Sequence, residues 1–127
     1  MTYRYKTVKR KNYIQPTKPA KYYASPVHGG EISFEHVVDN IVARSSFSGG
    51  DVSGLISELV QELSLWLPQG CTVNLGKLGI FSLSITSPGF DKPKDCLPGR
   101  VRPNKICYQA SVPFKNKIGE AVKFERM

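Results

Sequence analysis

The segment from Gly70 to Gly89, GCTVNLGKLGIFSLSITSPG, constrains the fold more than any other part of the chain. Within it, Phe81, Leu83 and Ile85 alternate strictly with Ser82, Ser84 and Thr86. Successive side chains of a strand point to opposite faces, so the pattern predicts a half-buried strand whose polar face is free to meet a partner. Thr72 to Leu75 is a second, shorter strand candidate. Gly76, Lys77 and Gly79 then supply residues suited to positive φ in a tight connection, and a hairpin is expected.

Upstream, apolar residues recur at helical spacing in two stretches. Ser33 can cap a first helix carrying Phe34, Val37, Val38, Ile41 and Val42, with Glu35 in its first turn and an end near Ser45. SFSGGD turns the chain, and Asp51 is the expected N-cap of a longer helix carrying Leu55, Ile56, Leu59, Val60, Leu63 and Leu67, stopped by Pro68 and Gly70. Such a helical hairpin cannot bury both apolar faces alone, so the sheet or a second copy must cover them. Trp66 is expected to pack in the core. After the β-hairpin comes a proline-rich excursion, SPGFDKPKDCLPGRVRPNK, and then Ile106, Tyr108, Ala110 and Val112 alternate as a third strand. Pro113 suits the first turn of a short last helix with Ile118, Ala121, Val122 and Phe124 on one side. Residues 1–27 mix basic side chains with Tyr3, Tyr5, Tyr13, Ile14, Tyr22 and Tyr23 and are broken by Pro16, Pro19 and Pro26, which favours extended strands or an arm over a helix.

Charge is distributed unevenly. Residues 1–23 hold seven Lys or Arg and no acid, residues 24–87 hold two against six acids, and residues 88–127 hold nine against four, giving +8 overall. Basic ends around a mildly acidic middle point to an anionic polymer, because Lys and Arg that neutralise phosphates release condensed counterions. A membrane surface lacks its usual counterpart here, a basic amphipathic helix, and no apolar run reaches spanning length. The N-terminus has no apolar signal-peptide region, so a cytoplasmic protein is expected. Cys71, Cys96 and Cys107 are odd in number without C-x-x-C spacing, which supports neither a disulfide framework nor a zinc site. His28 and His36 belong to no catalytic spacing, and GKLGIF lacks the order of a phosphate-binding loop. The residues point to no enzyme, no cofactor, no metal and no small-molecule substrate.

The order of these features is helix, turn, helix, GCTVNLGKLGIFSL, excursion, strand, then SVPFKNKIGEAV, and it resembles the bacterial histone-like family of HU and integration host factor. That family's Gly-Phe-Gly-Thr-Phe corner is matched here by Lys77, Leu78, Gly79, Ile80 and Phe81. Its Pro-x-Phe-Lys junction is matched by Val112, Pro113, Phe114 and Lys115. The resemblance covers roughly Ile32 to Val122. It implies an α+β fold: a helical hairpin packed on a small antiparallel sheet, with a proline-rich arm or loop and additional N-terminal strands. The chain then divides into a basic N-terminal extension, 1–30, and an HU-like domain, 31–127. The extension departs from ordinary HU and resembles variants with extra N-terminal strands and sometimes fused modules. The arm departs too, because the family's Arg-Asn-Pro tip has its nearest counterpart in Arg102, Pro103 and Asn104, beside the third strand.

The resemblance further implies a nucleoid-associated, histone-like protein that binds double-stranded DNA as a homodimer and takes part in DNA condensation. Contacts to phosphate and shape with little sequence preference are expected, since no recognition helix is present to read base edges. The candidate contacts are Lys92, Lys94, Arg100, Arg102 and Lys105 in the excursion, and Lys115 and Lys117 at the last helix. Pro103 is either a wedge between base pairs or one of several prolines stiffening a loop. Lys9, Arg10 and Lys11 could add a second contact. From a different class comes the alternative of an HU-like scaffold that binds protein through sheet edges and its Tyr-rich strands.

Overall fold

The computed structural model describes residues 2–11, 14, 15 and 17–127, so the expectations placed on Tyr13 and Pro16 lie outside the described residues. In chain order the elements are β1 (Tyr3–Arg10), β2 (Lys21–Pro26), α1 (Phe34–Ala43), α2 (Gly49–Trp66), β3 (Val73–Asn74), β4 (Gly79–Thr86), β5 (Arg102–Ala110), α3 (Val112–Ala121) and β6 (Phe124–Arg126). Single 3₁₀ turns stand at Leu67–Gln69, Pro93–Asp95 and Pro98–Arg100. The described residues thus make an α+β fold, with three helices and two three-stranded sheets of order β2-β1-β6 and β3-β4-β5. It divides into two units, residues 34–116 and residues 1–33 with 117–127.

In the 34–116 unit, α1 and α2 form the helical hairpin at the expected places, but α2 starts earlier. Its N-cap is Ser48, whose hydroxyl accepts from the Asp51 amide at 3.1 Å while the Asp51 carboxylate accepts from the Ser48 amide at 3.0 Å. Asp51 is therefore the third helical residue of a reciprocal capping box, and two glycines occupy the turn's first positions. Gly70, at φ 83°, closes the helical region in the left-handed conformation. Val38, Val52 and Leu67 are the buried apolar side chains among the described residues, Leu67 at 4% exposure, with Val52 and Leu67 at opposite ends of α2. Trp66 is not a core residue. It is 43% exposed, and its indole nitrogen donates at 2.9 Å to the carboxylate of Glu62, one helical turn earlier on α2.

The β4 alternation forms the long strand that the sequence predicts, paired antiparallel with both β3 and β5. Its cross-strand partners match apolar with apolar on one face: Phe81 with Tyr108, Leu83 with Ile106. The rings of Phe81 and Tyr108 lie 5.0 Å apart. Val60, Leu63 and Leu67 of the helical region and Leu83 and Ile106 of the sheet line a cleft of about 280 Å³. The apolar surface here is incompletely filled, with Leu55, Val60 and Ile106 each more than half exposed.

The glycine corner between β3 and β4 has a specific geometry. Gly76 sits at φ 62° and Gly79 at φ 135°, both in the left-handed region, and the Asn74 side chain accepts from the Gly76 amide at 2.8 Å. Gly79 is also packed against the neighbouring strand: a Cβ there would collide with the Gln109 carbonyl oxygen and lie 3.0 Å from the Ala110 Cα. Two side chains downstream hold the corner's carbonyls. The Tyr108 hydroxyl donates to Leu78, and the Ser111 hydroxyl donates to Lys77 at 2.6 Å while accepting from the Phe114 amide at 3.3 Å as the cap of α3. One serine therefore joins the corner to the start of the last helix, which ties the two resembling motifs together physically.

The second unit holds a sheet in which β1 pairs antiparallel with β2 and parallel with β6. Phe124, expected on the last helix, is in β6, where its ring lies 5.8 Å from Tyr3. The helix is interrupted after Ala121 and the chain turns into a strand because the β1 edge offers free backbone partners: the Tyr3 amide donates to the Lys123 carbonyl at 2.7 Å and the Met127 amide to Tyr5 at 2.9 Å.

Candidate nucleic-acid interface

The excursion after β4 is a folded loop. Its prolines start the two 3₁₀ turns, Pro93–Asp95 and Pro98–Arg100, where fixed φ and a missing amide donor are tolerated. Backbone bonds brace it, among them Asp95 to Lys92 at 3.1 Å and Arg100 to Leu97 at 2.9 Å. Lys92 and Lys94 flank and occupy the first turn, exposed, and Arg100 ends the second. The Arg100 guanidinium lies 5.9 Å from the centre of the half-buried Phe90 ring, a cation–π distance that holds the charge in one place. Phe90 is a residue that charge-based reading misses, although its position as the lone aromatic of the excursion is the signal that would have found it.

Strand β5 begins earlier than the alternation predicts, at Arg102, so Arg102, Pro103 and Lys105 belong to a strand and not to the excursion. The cause is a register slip. Ser84 pairs with Lys105 and Ile85 with Pro103, leaving Asn104 as the additional residue of a bulge. A bulge is one of the few places where a proline fits a sheet. The Ser84 hydroxyl closes it by donating to the Lys105 carbonyl at 3.1 Å and accepting from the Lys105 amide at 3.2 Å.

The slip has a consequence for charge. Residues three apart on a regular strand face opposite sides, yet Arg102 and Lys105 pair with Thr86 and Ser84, which lie two apart and share the polar face. Both cations are thereby assigned to the face of Ser82, Ser84 and Thr86, and both are exposed. Pro103 and Ile85 share the opposite side, also exposed. Lys115 and Lys117 lie on α3, exposed, the first in the 34–116 unit and the second in the other. The structure thus brings Arg102 and Lys105 together on one sheet face and fixes Arg100 at Phe90, while Lys92, Lys94, Lys115 and Lys117 stand on separate elements.

The remaining chemistry is sparse. Cys71 and Cys96 are exposed free thiols and Cys107 is a half-buried one. Among the described residues, no group of three or more His, Cys, Asp or Glu is placed to hold a metal, and no helix is long and apolar enough to cross a membrane. The Asp51 carboxyl is held below the usual carboxylate range by the Ser48 amide and then by the Ser48 hydroxyl.

Comparison with known proteins agrees with this architecture. No curated protein matches the chain. A crystal structure of a candidate bacterial DNA-binding protein from Bacteroides vulgatus superposes with a TM-score of 0.70 at 12% identity, covering 99% of this chain and 48% of that one. The likeness is one of fold, and the chain spans about half the length of that protein. The model of the family described as "HU domain fused to wHTH, Ig, or Glycine-rich motif" matches residues 1–126. With the helical hairpin, the glycine corner and the Ser111 junction in one continuous match, the chain belongs to this HU-like family.

Proposed function

We propose that this HU-like chain is a non-enzymatic, histone-like protein that binds double-stranded DNA through phosphates and shape, with little sequence preference. The observation that carries this reading is the bulge in β5, which gives Arg102 and Lys105 a common polar sheet face. Cations on a hydroxyl-lined strand face suit phosphate oxygens, which carry no sequence information. Arg100, steadied by Phe90, and Lys92, Lys94, Lys115 and Lys117 extend the contact, in a domain taken as residues 31–127. The Bacteroides protein of the same fold, itself a candidate DNA-binding protein, supports the reading.

The incompletely covered apolar surface of α2 and the sheet supports a homodimer formed through the helical hairpin, with Leu55 and Val60 becoming buried. Pro103, exposed beside Ile85 at the end of the β4–β5 pair, is the candidate wedge for bending. Titration of a duplex at several salt concentrations tests the whole reading. Each phosphate contact contributes roughly 0.9 to the slope of log K against log salt, so replacing Arg100, Arg102 and Lys105 by Ala should flatten it by about 2.7. Because two of the three lie in β5, a melting curve accompanies the titration. Salt-independent, weak binding to every duplex by the folded protein removes this function.

A second reading has one observation in its favour. Tyr3, Tyr5, Ala24, Pro26, Val122 and Phe124 line an open, largely apolar groove of about 750 Å³, which suits a protein segment better than DNA. In that case the triple substitution leaves any residual salt slope unchanged.

A further inference from the structure

The β2-β1-β6 sheet has a second face. Strand alternation and the β1–β2 register put Arg4, Lys6, Val8 and Arg10 on it together with Lys21, Tyr23 and Ser25. Arg10 and Lys21 are direct cross-strand partners, an arrangement of like charges that costs stability unless an anion lies between them. The Arg10 guanidinium is 5.8 Å from the centre of the Tyr23 ring. Next to these residues, Arg10, Lys11, Lys18, Lys21, Tyr23 and Ile14 line a concave cavity of about 560 Å³, and no Asp or Glu is among the described residues that line it. The acid of this sheet face is Glu125, which lies opposite Arg4 at the other end and accepts a hydrogen bond from Thr2 at 2.6 Å.

We propose that this basic, aromatic cavity is a binding site for an unpaired segment of nucleic acid, separate from the duplex contact proposed above. Four cations converging on one recess call for phosphate, and Tyr23 with Ile14 supplies the apolar surface on which a base can lie. The recess has the volume of a small-ligand pocket, enough for a nucleotide. Duplex DNA carries its phosphates on the outside of a stiff rod and cannot turn a base into such a hollow without breaking a pair; a single strand can. The row of Arg10, Lys6 and Arg4 then gives the strand's following phosphates a track of cations, about 13 Å apart across Val8 and then about 7 Å apart at roughly 3.3 Å per residue.

The test is fluorescence anisotropy of labelled oligothymidylate and oligouridylate with the full chain over a range of salt. Saturable binding of at least one is expected, and a preference for either assigns the sugar and supports the site. Lys11→Ala with Lys18→Ala changes two residues outside β1 and β2 and should flatten the salt slope by about 1.4, at roughly 0.7 per single-strand phosphate. Tyr23→Leu keeps an apolar side chain but removes the ring, and should weaken binding about 5- to 100-fold. Single-strand binding should survive the Arg100, Arg102 and Lys105 triple substitution. If that triple abolishes it while the Lys11 and Lys18 pair leaves it intact, the single strand occupies the duplex contact and the proposal is wrong. Equal competition by polyglutamate, or unchanged binding by both the Lys pair and Tyr23→Leu, overturns it as well. Loss of duplex binding alone leaves this site untouched.

Discussion

The two sheets of this chain have the same number of strands and opposite constructions. The β3-β4-β5 sheet is assembled from neighbours in sequence, antiparallel throughout, with a glycine corner on one side and a bulge on the other. The β2-β1-β6 sheet joins the two ends of the chain, its parallel pair matching Tyr3 with Phe124 and Tyr5 with Arg126. In the first sheet, geometry is fixed by close approach of backbone and by side chains that bond to main-chain groups: Ser84 at the bulge, Tyr108 and Ser111 at the corner. Among the described residues, the second has its ladders, the Tyr3–Phe124 ring pair, the Arg10–Tyr23 contact and the bond from Thr2 to Glu125, all on exposed side chains. Specificity of shape is therefore concentrated in one sheet, and cation density in the other.

The sharpest way to break this contrast is Gly79→Val. The position combines φ 135° with a neighbour's carbonyl in the space of a Cβ, so both backbone strain and overpacking act at once. A loss of about 3 kcal/mol or more is expected, lowering the melting temperature by more than about 12 °C or preventing folding. Gly76→Ala, also at positive φ but with nothing within 4 Å of its Cβ, should cost about 1 kcal/mol. Equal effects at the two glycines would mean that β5 yields easily and that the corner is not a rigid device.

Ending the chain after Lys123 probes the other sheet. It removes β6, the Met127 amide bond to Tyr5 and the ring pair with Tyr3, a loss of about 2 kcal/mol for the N-terminal strands. Hydrogen exchange should then accelerate about 30-fold at the β1 amides, with those of β4 and β5 unchanged. Equal acceleration in β4 would show that the two units unfold as one.

These contrasts also explain what was legible in the sequence. The β4 alternation, both helix faces and the glycine corner depend on local periodicity and on φ values that only glycine takes readily, so their residues announce them. The start of β5 does not, because Pro103 reads as a strand breaker unless the bulge at Asn104 is known, and the bulge is made by Ser84 some twenty residues away. The sequence pattern therefore puts Arg102 and Lys105 in the excursion, where the structure has strand β5. The parallel β6 pairing is hidden for a similar reason: Phe124, Glu125 and Arg126 carry no strand pattern of their own and find their conformation only at the edge of β1. Trp66 misled through its type, since large aromatics usually seek cores.

The smallest effect belongs to the most local device, the Ser48–Asp51 capping box. Its two bonds stabilise the ionised carboxylate, so the Asp51 pKa in the folded chain lies below its ordinary value of 3.8. A carboxyl with a depressed folded pKa contributes stability that is fully present above the unfolded value and is lost as pH falls through the folded one. Asp51→Asn keeps the side chain's size and an acceptor oxygen but not the charge at the helix N-terminus. The wild type should therefore melt slightly above the variant at pH 7, and the gap should close progressively below about pH 4, as the native carboxyl becomes protonated. Melting curves of both proteins between pH 2.5 and pH 7, with concentrations kept equal, measure it. A gap that stays constant with pH would mean that the carboxylate's charge adds nothing to the cap, and that shape alone starts α2.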